Sequence, residues 1–298
     1  MDFPEFLSRF TDCRFSLNEK LSEHGGYRTG GRAKYYITPL SIKSLSEAIG
    51  YCVENGLKYV VVGNCTNILF SDLGFSGAVI STSLIRGIKA DGEFITAFAG
   101  ENLSSLYKFA ENNSLSGLEE LSGIPGSVGG AVVMNAGAFG KTFSDVLEEV
   151  CTLKDGKTVF YNKNECGFSY RKSRFIKSGE IVLSAKIRLF RDLKSDIIKR
   201  AETFKERRNE FQPVGRSCGS VFINPKNGHA AELIEKAGLK GLKTGGAFIS
   251  LKHANFILTE FGATSKDVYE LIKTVKKTVK DKYGISLIEE IKYVGEFN

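Results

Sequence analysis

The chain has 298 residues, of which 42% are hydrophobic and 25% charged, an ordinary globular composition. It is long enough to bury a sizeable core without disulfide or metal staples. Its formal net charge of +7 is compatible with phosphorylated metabolites as well as nucleic acid, but Lys and Arg are interleaved with Asp and Glu, Trp is absent, and no RNA-recognition pattern of aromatics occurs. No run approaches the roughly 18 apolar residues of a membrane span. The acidic start Met1-Asp2-Phe3-Pro4-Glu5 lacks the basic region and apolar stretch of a secretory signal. The six cysteines (Cys13, Cys52, Cys65, Cys151, Cys166, Cys218) form no Cys-x-x-Cys pair, so no metal site is expected. They are expected to be reduced thiols of a cytoplasmic protein.

In chain order, Leu45, Ala48, Ile49, Cys52 and Val53 recur at helical spacing from about residue 42, and Gly56 stops the run. Lys58 to Val62 reads as a buried strand entering Gly63, and Ile68-Leu69-Phe70 as a second apolar run. Residues 77–99 carry strand patterning. A helix is predicted over 103–112, with Leu103, Leu106 and Phe109 on one face. Residues 146–192 read as strands and hairpins, turning at Lys154-Asp155-Gly156-Lys157. A charged helix over 195–210 then marks a change of texture, and the main domain boundary is placed near 194. Ser220 to Ile223 reads as a short strand, and His229 to Ala237 as a helix closed by Gly238. The clearest helix covers about 265–283. Thr264 and Asp267 form its capping pair and Gly284 its end. Its basic residues Lys273 to Lys282 share it with Glu270 and Asp281, which describes a solvated face. Ser286 to Val294 reads as a terminal strand.

Two glycine-rich segments stand out. Gly63-Asn64-Cys65-Thr66-Asn67 directly follows a strand. Ser122-Gly123-Ile124-Pro125-Gly126-Ser127-Val128-Gly129-Gly130 continues to Asn135-Ala136-Gly137. Glycine lets the backbone turn sharply and bring several N–H groups toward a phosphate, and Pro125 stiffens the second loop. Such loops also serve simply as turns. A P-loop is excluded, because Gly140-Lys141-Thr142 has Asn135 and Gly156-Lys157-Thr158 has Cys151 where its first Gly belongs. No Gly-x-Gly-x-x-Gly follows an early strand, so a dinucleotide fold of that type is disfavoured.

The second segment, through Met134-Asn135-Ala136-Gly137-Ala138-Phe139-Gly140, resembles the flavin-binding signature of the UDP-N-acetylenolpyruvoylglucosamine reductase family. Other blocks resemble that family in its order along nearly the whole chain. They are Tyr27-Arg28-Thr29-Gly30-Gly31, Gly63 to Leu69, Tyr170-Arg171-Lys172-Ser173, Gly219-Ser220-Val221-Phe222 with Asn224-Pro225, Lys252-His253-Ala254-Asn255-Phe256, and Leu287 to Glu296. The compact layout resembles the family's shorter subtype. The resemblance implies an α+β fold: a two-subdomain FAD-binding region over 1–194 (roughly 1–85 and 86–194), similar to that of vanillyl-alcohol oxidase, then an α+β substrate domain over 195–298. It also implies a reaction in peptidoglycan precursor synthesis, with FAD and NADPH as cofactors and a nucleotide sugar as substrate. Hydride reaches C3 of an enolpyruvyl ether and a proton reaches C2. A monomer is expected, with no nucleic-acid or membrane partner.

By the same resemblance Arg171 and Glu290 match the pair that stabilises charge developing at C2, and Ser220 the proton donor. The cofactor residues implied are Gly63, Asn64, Cys65, Thr66, Asn67, Gly123, Ile124, Pro125, Gly126, Ser127, Gly129, Gly130, Asn135, Ala136 and Gly137. Tyr170, Arg216, Asn224, His253 and Asn255 are candidates for substrate contact; Asn224, His253 and Asn255 can equally be read as loop hydrogen-bonders. The chain departs from the family pattern at Cys65 (usually Gly), Arg32 and Arg216 (usually Pro), and Phe211 and Ile223 (usually Lys). Without the two lysines the substrate diphosphate needs another cation, for which Arg216 is the candidate. The alternatives are a flavin oxidoreductase of this scaffold with another substrate, or a non-catalytic nucleotide-binding relative.

Overall fold

The computed structural model describes residues 3–8 and 12–297. Two compact units emerge. The first contains the described residues up to Ser16, Tyr35–Asn64 and Gly77–Arg208; the second contains Leu17–Lys34, Cys65–Ser76 and the chain from Asn209 onward. The first unit thus extends through Arg208. The reason is the helix Lys194–Phe211. Its Arg200 reaches Glu119 at 2.9 Å and Asp192 at 2.6 Å, and Phe204 lies against the Phe139 ring at 5.1 Å, so most of the helix belongs to the first unit.

A four-stranded sheet has the order Cys13–Lys20, Arg32–Pro39, Phe75–Ser81, Tyr59–Val62. Tyr59–Val62 runs parallel to Phe75–Ser81, and a polar loop follows Val62. The helix Ile42–Glu54 starts in a Ser41/Ser44 capping box and buries Leu45, Ala48 and Cys52 against Ile37 and Ile80. Val53, expected on that face, is exposed. A second sheet is antiparallel, in the order Lys157–Asn162, Leu147–Lys154, Ile181–Arg188, Phe94–Phe98, Ile88–Asp91. The helices Leu103–Asn112 and Val128–Met134 contribute Leu106, Val128 and Val132 to its core. Each such side chain, fully buried, stabilises the unit by about 1.5–3 kcal/mol. Within the stretch expected as hairpins, Asn162 instead caps a 3-10 turn, Lys163–Cys166, by accepting from Asn164 and Glu165 N–H.

In the second unit the helix Ser265–Tyr283 has the expected Thr264/Asp267 box and ends on Gly284 at φ 71°. The Asp72 carboxylate also accepts from Ser265 and Lys266 N–H at 2.9 Å each. Val268, Leu271, Ile272, Val275 and Val279 form its buried stripe. A three-stranded antiparallel sheet consists of Lys243–Thr244, Ala247–Ile249 and Ile257–Thr259. The motif glycines Gly30 and Gly31 have a packing reason: a Cβ would lie 2.6 Å from Phe70 Cβ and 2.2 Å from Asp72 O respectively. The terminal strand is broken in two. Ile288–Glu289 pairs antiparallel with Phe222–Ile223, whereas Lys292–Val294 pairs parallel with Ile68–Phe70. Glu290 stands at the switch between the two partners.

Candidate active site

In the first unit the two glycine-rich loops meet. A Cβ on Gly63 would lie 2.2 Å from Ser127 Oγ, and the Asn64 amide donates to Asn102 Oδ1 at 2.5 Å. Ser127 caps the helix Val128–Met134 by accepting from Gly130 N–H. Val128 and Gly129 N–H donate to Glu101 and Ala99 carbonyls at 2.8 and 2.9 Å, which fixes the loop on the sheet edge. Gly129 is needed there, since its Cβ would fall 2.9 Å from that of Ala99. Gly126 adopts φ 159° and its carbonyl accepts from Leu103 N–H. Gly123 and Gly130 are exposed, with Ile124 and Pro125 following Gly123.

Beyond the helix, Asn135 takes a left-handed C-cap conformation at φ 43° and is buried. Its amide donates to Ser169 O at 3.1 Å and its Oδ1 accepts from Ser144 N–H at 3.0 Å. Asn135 therefore ties the end of the glycine-rich segment to the turn that bears Arg171. Ser169 and Lys172 exchange both main-chain hydrogen bonds at 3.1 Å, which leaves Tyr170 and Arg171 at the tip. Arg171 occupies φ 53°, a turn position that favours glycine. Holding an L-residue there costs about 1–2 kcal/mol. Arg171 Nη2 donates to Gly137 O at 2.8 Å, and Ser173 Oγ donates to Val133 O at 2.6 Å. The guanidinium is thereby aimed by the same backbone that carries Ala136 and Gly137.

In the sequence Arg208 reads as a solvated basic residue on a charged helix. The structure puts its Nε 2.8 Å from where a Gly123 Cβ would be, and burial holds its guanidinium below its ordinary value.

The second unit holds Cys65, Thr66 and Asn67 together with Ser220 and Glu290. Cys65 explains itself as a departure from glycine. It adopts φ 53° with a buried side chain, and burial pushes its thiol up to about 12, so it is no nucleophile. Thr66 follows it, and Asn67 bonds to the main chain around Glu290, donating to Glu290 O at 3.1 Å and accepting from Lys292 N–H at 2.9 Å. Ser220 is half-buried and bridges to Phe256. Glu290 N–H donates to Val221 O at 2.8 Å, so the serine strand and the glutamate are zipped together one residue apart.

The substrate candidates divide by environment. Asn255 is buried, with Oδ1 accepting from Phe222 N–H at 2.9 Å and Nδ2 donating to Phe222 O at 2.8 Å; its amide holds the serine strand. Asn224 Oδ1 accepts from Ala230 N–H at 3.0 Å and so serves the start of the helix Ala230–Lys236. His253 accepts from Asn255 N–H through Nδ1, and burial, helped by Lys240, holds its imidazole below its ordinary value, hence neutral. Tyr170 and Arg216 are exposed, and Arg216 O is pinned by Thr259 N–H at 3.0 Å. Phe211 is exposed. Among the described residues no three His, Cys, Asp or Glu side chains gather as a metal site, and no helix is long and apolar enough to cross a membrane.

These loops, with Gly63, Gly123, Gly129 and Gly137 where a Cβ would come within 3.0 Å of a neighbour and with an arginine beside them, suit a phosphate-bearing flavin cofactor, and residues 33–160 match the family model described as FAD binding domain. Fold and loops define a flavoprotein. Residues 211–294 match the model of the UDP-N-acetylenolpyruvoylglucosamine reductase C-terminal domain. The chain is 42% identical to the UDP-N-acetylenolpyruvoylglucosamine reductase of Carboxydothermus hydrogenoformans, over 94% of this chain and 93% of the relative. It is 41% identical to that of Caldicellulosiruptor bescii, over 100% of this chain and 96% of the relative. The crystal structure of the reductase from Thermus caldophilus superposes with a TM-score of 0.82 at 34% identity, covering 96% of this chain and 100% of that one. The chain belongs to the UDP-N-acetylenolpyruvoylglucosamine reductase family.

Proposed function

We propose that this chain reduces UDP-N-acetylglucosamine enolpyruvate to UDP-N-acetylmuramate with NADPH, as a monomer in the cytoplasm, supplying a peptidoglycan precursor. Bound FAD supplies the hydride transfer between NADPH and the substrate. The main chain of the loop Gly63–Asn67 and the segment from Gly123 through Gly137 would hold it. The observation that carries the reading is the junction at Glu290, where the carboxylate-bearing strand is bonded to the main chain beside Ser220 through Glu290 N–H and Val221 O at 2.8 Å.

Hydride addition at C3 leaves negative charge at C2 that spreads into the substrate carboxylate. Arg171, held by Gly137 O, supplies a fixed cation for that charge. Such a preorganised group contributes roughly 3–4 kcal/mol to the barrier. The Ser220 hydroxyl donates its proton to C2; a serine is a weak acid, but the carbanion-like carbon is strongly basic. A positioned general acid contributes about 10²–10⁴-fold. Glu290 in our reading acts protonated or by orienting the proton supply to Ser220, because a bare carboxylate would oppose the developing charge. In our reading Tyr170 is a substrate contact, and Arg216 serves the diphosphate in place of the lysines missing at 211 and 223. Asn255, Asn224 and His253 act by holding the serine strand and its flanking loops.

Product analysis tests the reading. With NADPH and the enolpyruvyl substrate, mass spectrometry should find a nucleotide sugar heavier by two hydrogens, and Ser220→Ala should reduce its formation at least about 100-fold. Unchanged formation by Ser220→Ala would remove the serine from the mechanism.

A further inference from the structure

The break in the terminal strand leaves Glu290 with no ladder of its own. The strand changes partner there, from antiparallel pairing with Phe222–Ile223 to parallel pairing with Ile68–Phe70. One residue spans the change. Asn67 donates from its side chain to Glu290 O at 3.1 Å and accepts at its own carbonyl from Lys292 N–H at 2.9 Å. It therefore clamps the chain on both sides of Ile291. From Glu290 the bonding continues without a gap. Glu290 N–H donates to Val221 O at 2.8 Å, Val221 N–H donates to Asn255 O at 2.8 Å, and the Asn255 amide closes on both main-chain atoms of Phe222. Every link but the two asparagine amides is main chain, so a shift at Asn67 is passed to the strand that carries Ser220.

The other end of the clamp is the loop after Val62. Two residues before Asn67, Cys65 sits at φ 53° and its carbonyl accepts from Gly26 N–H at 3.3 Å. The loop is thus anchored at Cys65, and Asn67 follows two residues later along the same main chain. We propose that Asn67 is a positioning residue: order imposed on the Gly63–Asn67 loop by the flavin phosphates is transmitted through its amide to Glu290 and the Ser220 strand. The acid and the serine then take their working positions only when the cofactor is in place. This rests on the functional reading above for the roles of FAD and Glu290. Only an amide of this length serves. A carboxylate at 67 would face the Glu290 carbonyl with acceptor against acceptor, and a methyl group leaves the carbonyl unbonded.

Hydrogen exchange on the full chain, with and without saturating FAD, tests it without relying on turnover. In the wild type, FAD should slow exchange in peptides covering 219–223 and 286–296 by about fivefold, the factor a single net hydrogen bond supports. In Asn67→Ala and Asn67→Asp, FAD should still slow the 122–137 peptide but leave 286–296 unprotected. Reoxidation of reduced flavin by the substrate should fall about tenfold more than bleaching by NADPH. Wild-type protein in which FAD slows 122–137 but not 286–296 would overturn the proposal, as would variants that keep the protection at 286–296. Loss of protection at 122–137 in both variants would make Asn67 an ordinary flavin contact and also overturn it. If FAD slows no peptide of the wild type, the cofactor reading itself fails, which is a separate result.

Discussion

The meeting of the two glycine-rich loops makes a quantitative prediction. A methyl group at position 63 would lie 2.2 Å from Ser127 Oγ and 3.3 Å from Ser127 Cβ. Carbon contacts are comfortable at about 3.5–4.0 Å, so both atoms are too close. The hydroxyl can swing away, but it then abandons Gly130 N–H, the cap it holds at 3.2 Å. Losing such a cap costs about 1 kcal/mol, and the residual Cβ crowding at least about 1 more. Gly63→Ala should therefore destabilise the apo chain by about 2 kcal/mol, and Ser127→Ala by about 1. Because Ser127→Ala removes the clashing oxygen and the cap at once, the double variant should cost about 2 and not about 3 kcal/mol. Thermal unfolding of the four proteins measures this, at roughly 2 °C per kcal/mol for a chain of this size. Flavin affinity should fall in parallel. Strict additivity, or a Gly63→Ala variant as stable as the wild type, would refute the packing argument.

Three further outcomes are expected. Arg171→Gly should be more stable than Arg171→Ala by about 1 kcal/mol, because only glycine accepts φ 53° without strain, while both lose product formation; unfolding and turnover assays read the two effects separately. Arg216→Ala should raise the substrate KM about tenfold or more with kcat unchanged, the signature of a lost charge-assisted contact made equally in ground and transition states; an unchanged KM removes Arg216 from the diphosphate. Glu119 responds to acid. Burial alone would raise its carboxyl, but hydrogen bonds from Ser116, Gly117 N–H and Arg200 outweigh this and hold it below its ordinary value. A depressed folded value means that the unfolded chain binds the proton more readily, so this stabilisation is present at neutral pH and drains as pH falls below the usual carboxylate range. Glu119→Gln should be less stable at neutral pH and show a shallower loss of thermal stability between about pH 5 and 3.

Much of the architecture was legible because local rules and tertiary packing agree. The helices at 42–54, 103–112 and 265–283 follow their apolar periodicity, and the last has its expected Thr264/Asp267 cap and ends on Gly284. Arg171, Ser220 and Glu290 are proposed on the joint motif pattern, since each alone reads as an ordinary surface residue. The break of the terminal strand was not legible, because it arises when one segment finds two different partners far away in sequence, Phe222–Ile223 and Ile68–Phe70. The dual bonding of the Asn255 amide and the approach of Arg208 to Gly123 were hidden for the same reason. Cys65 looked like a misfit in a phosphate loop. Its left-handed conformation shows why glycine is usual there, and its buried side chain shows how cysteine is accommodated.

The most direct test of the account is the visible spectrum of the purified holoenzyme under anaerobic conditions, followed through addition of NADPH and then of UDP-N-acetylglucosamine enolpyruvate. The account predicts that flavin absorbance near roughly 450 nm bleaches with NADPH and returns when the enolpyruvyl substrate is added. A flavin that bleaches but is not reoxidised by that substrate would contradict it, and would turn attention to Phe211 and Ile223 as determinants of a different substrate.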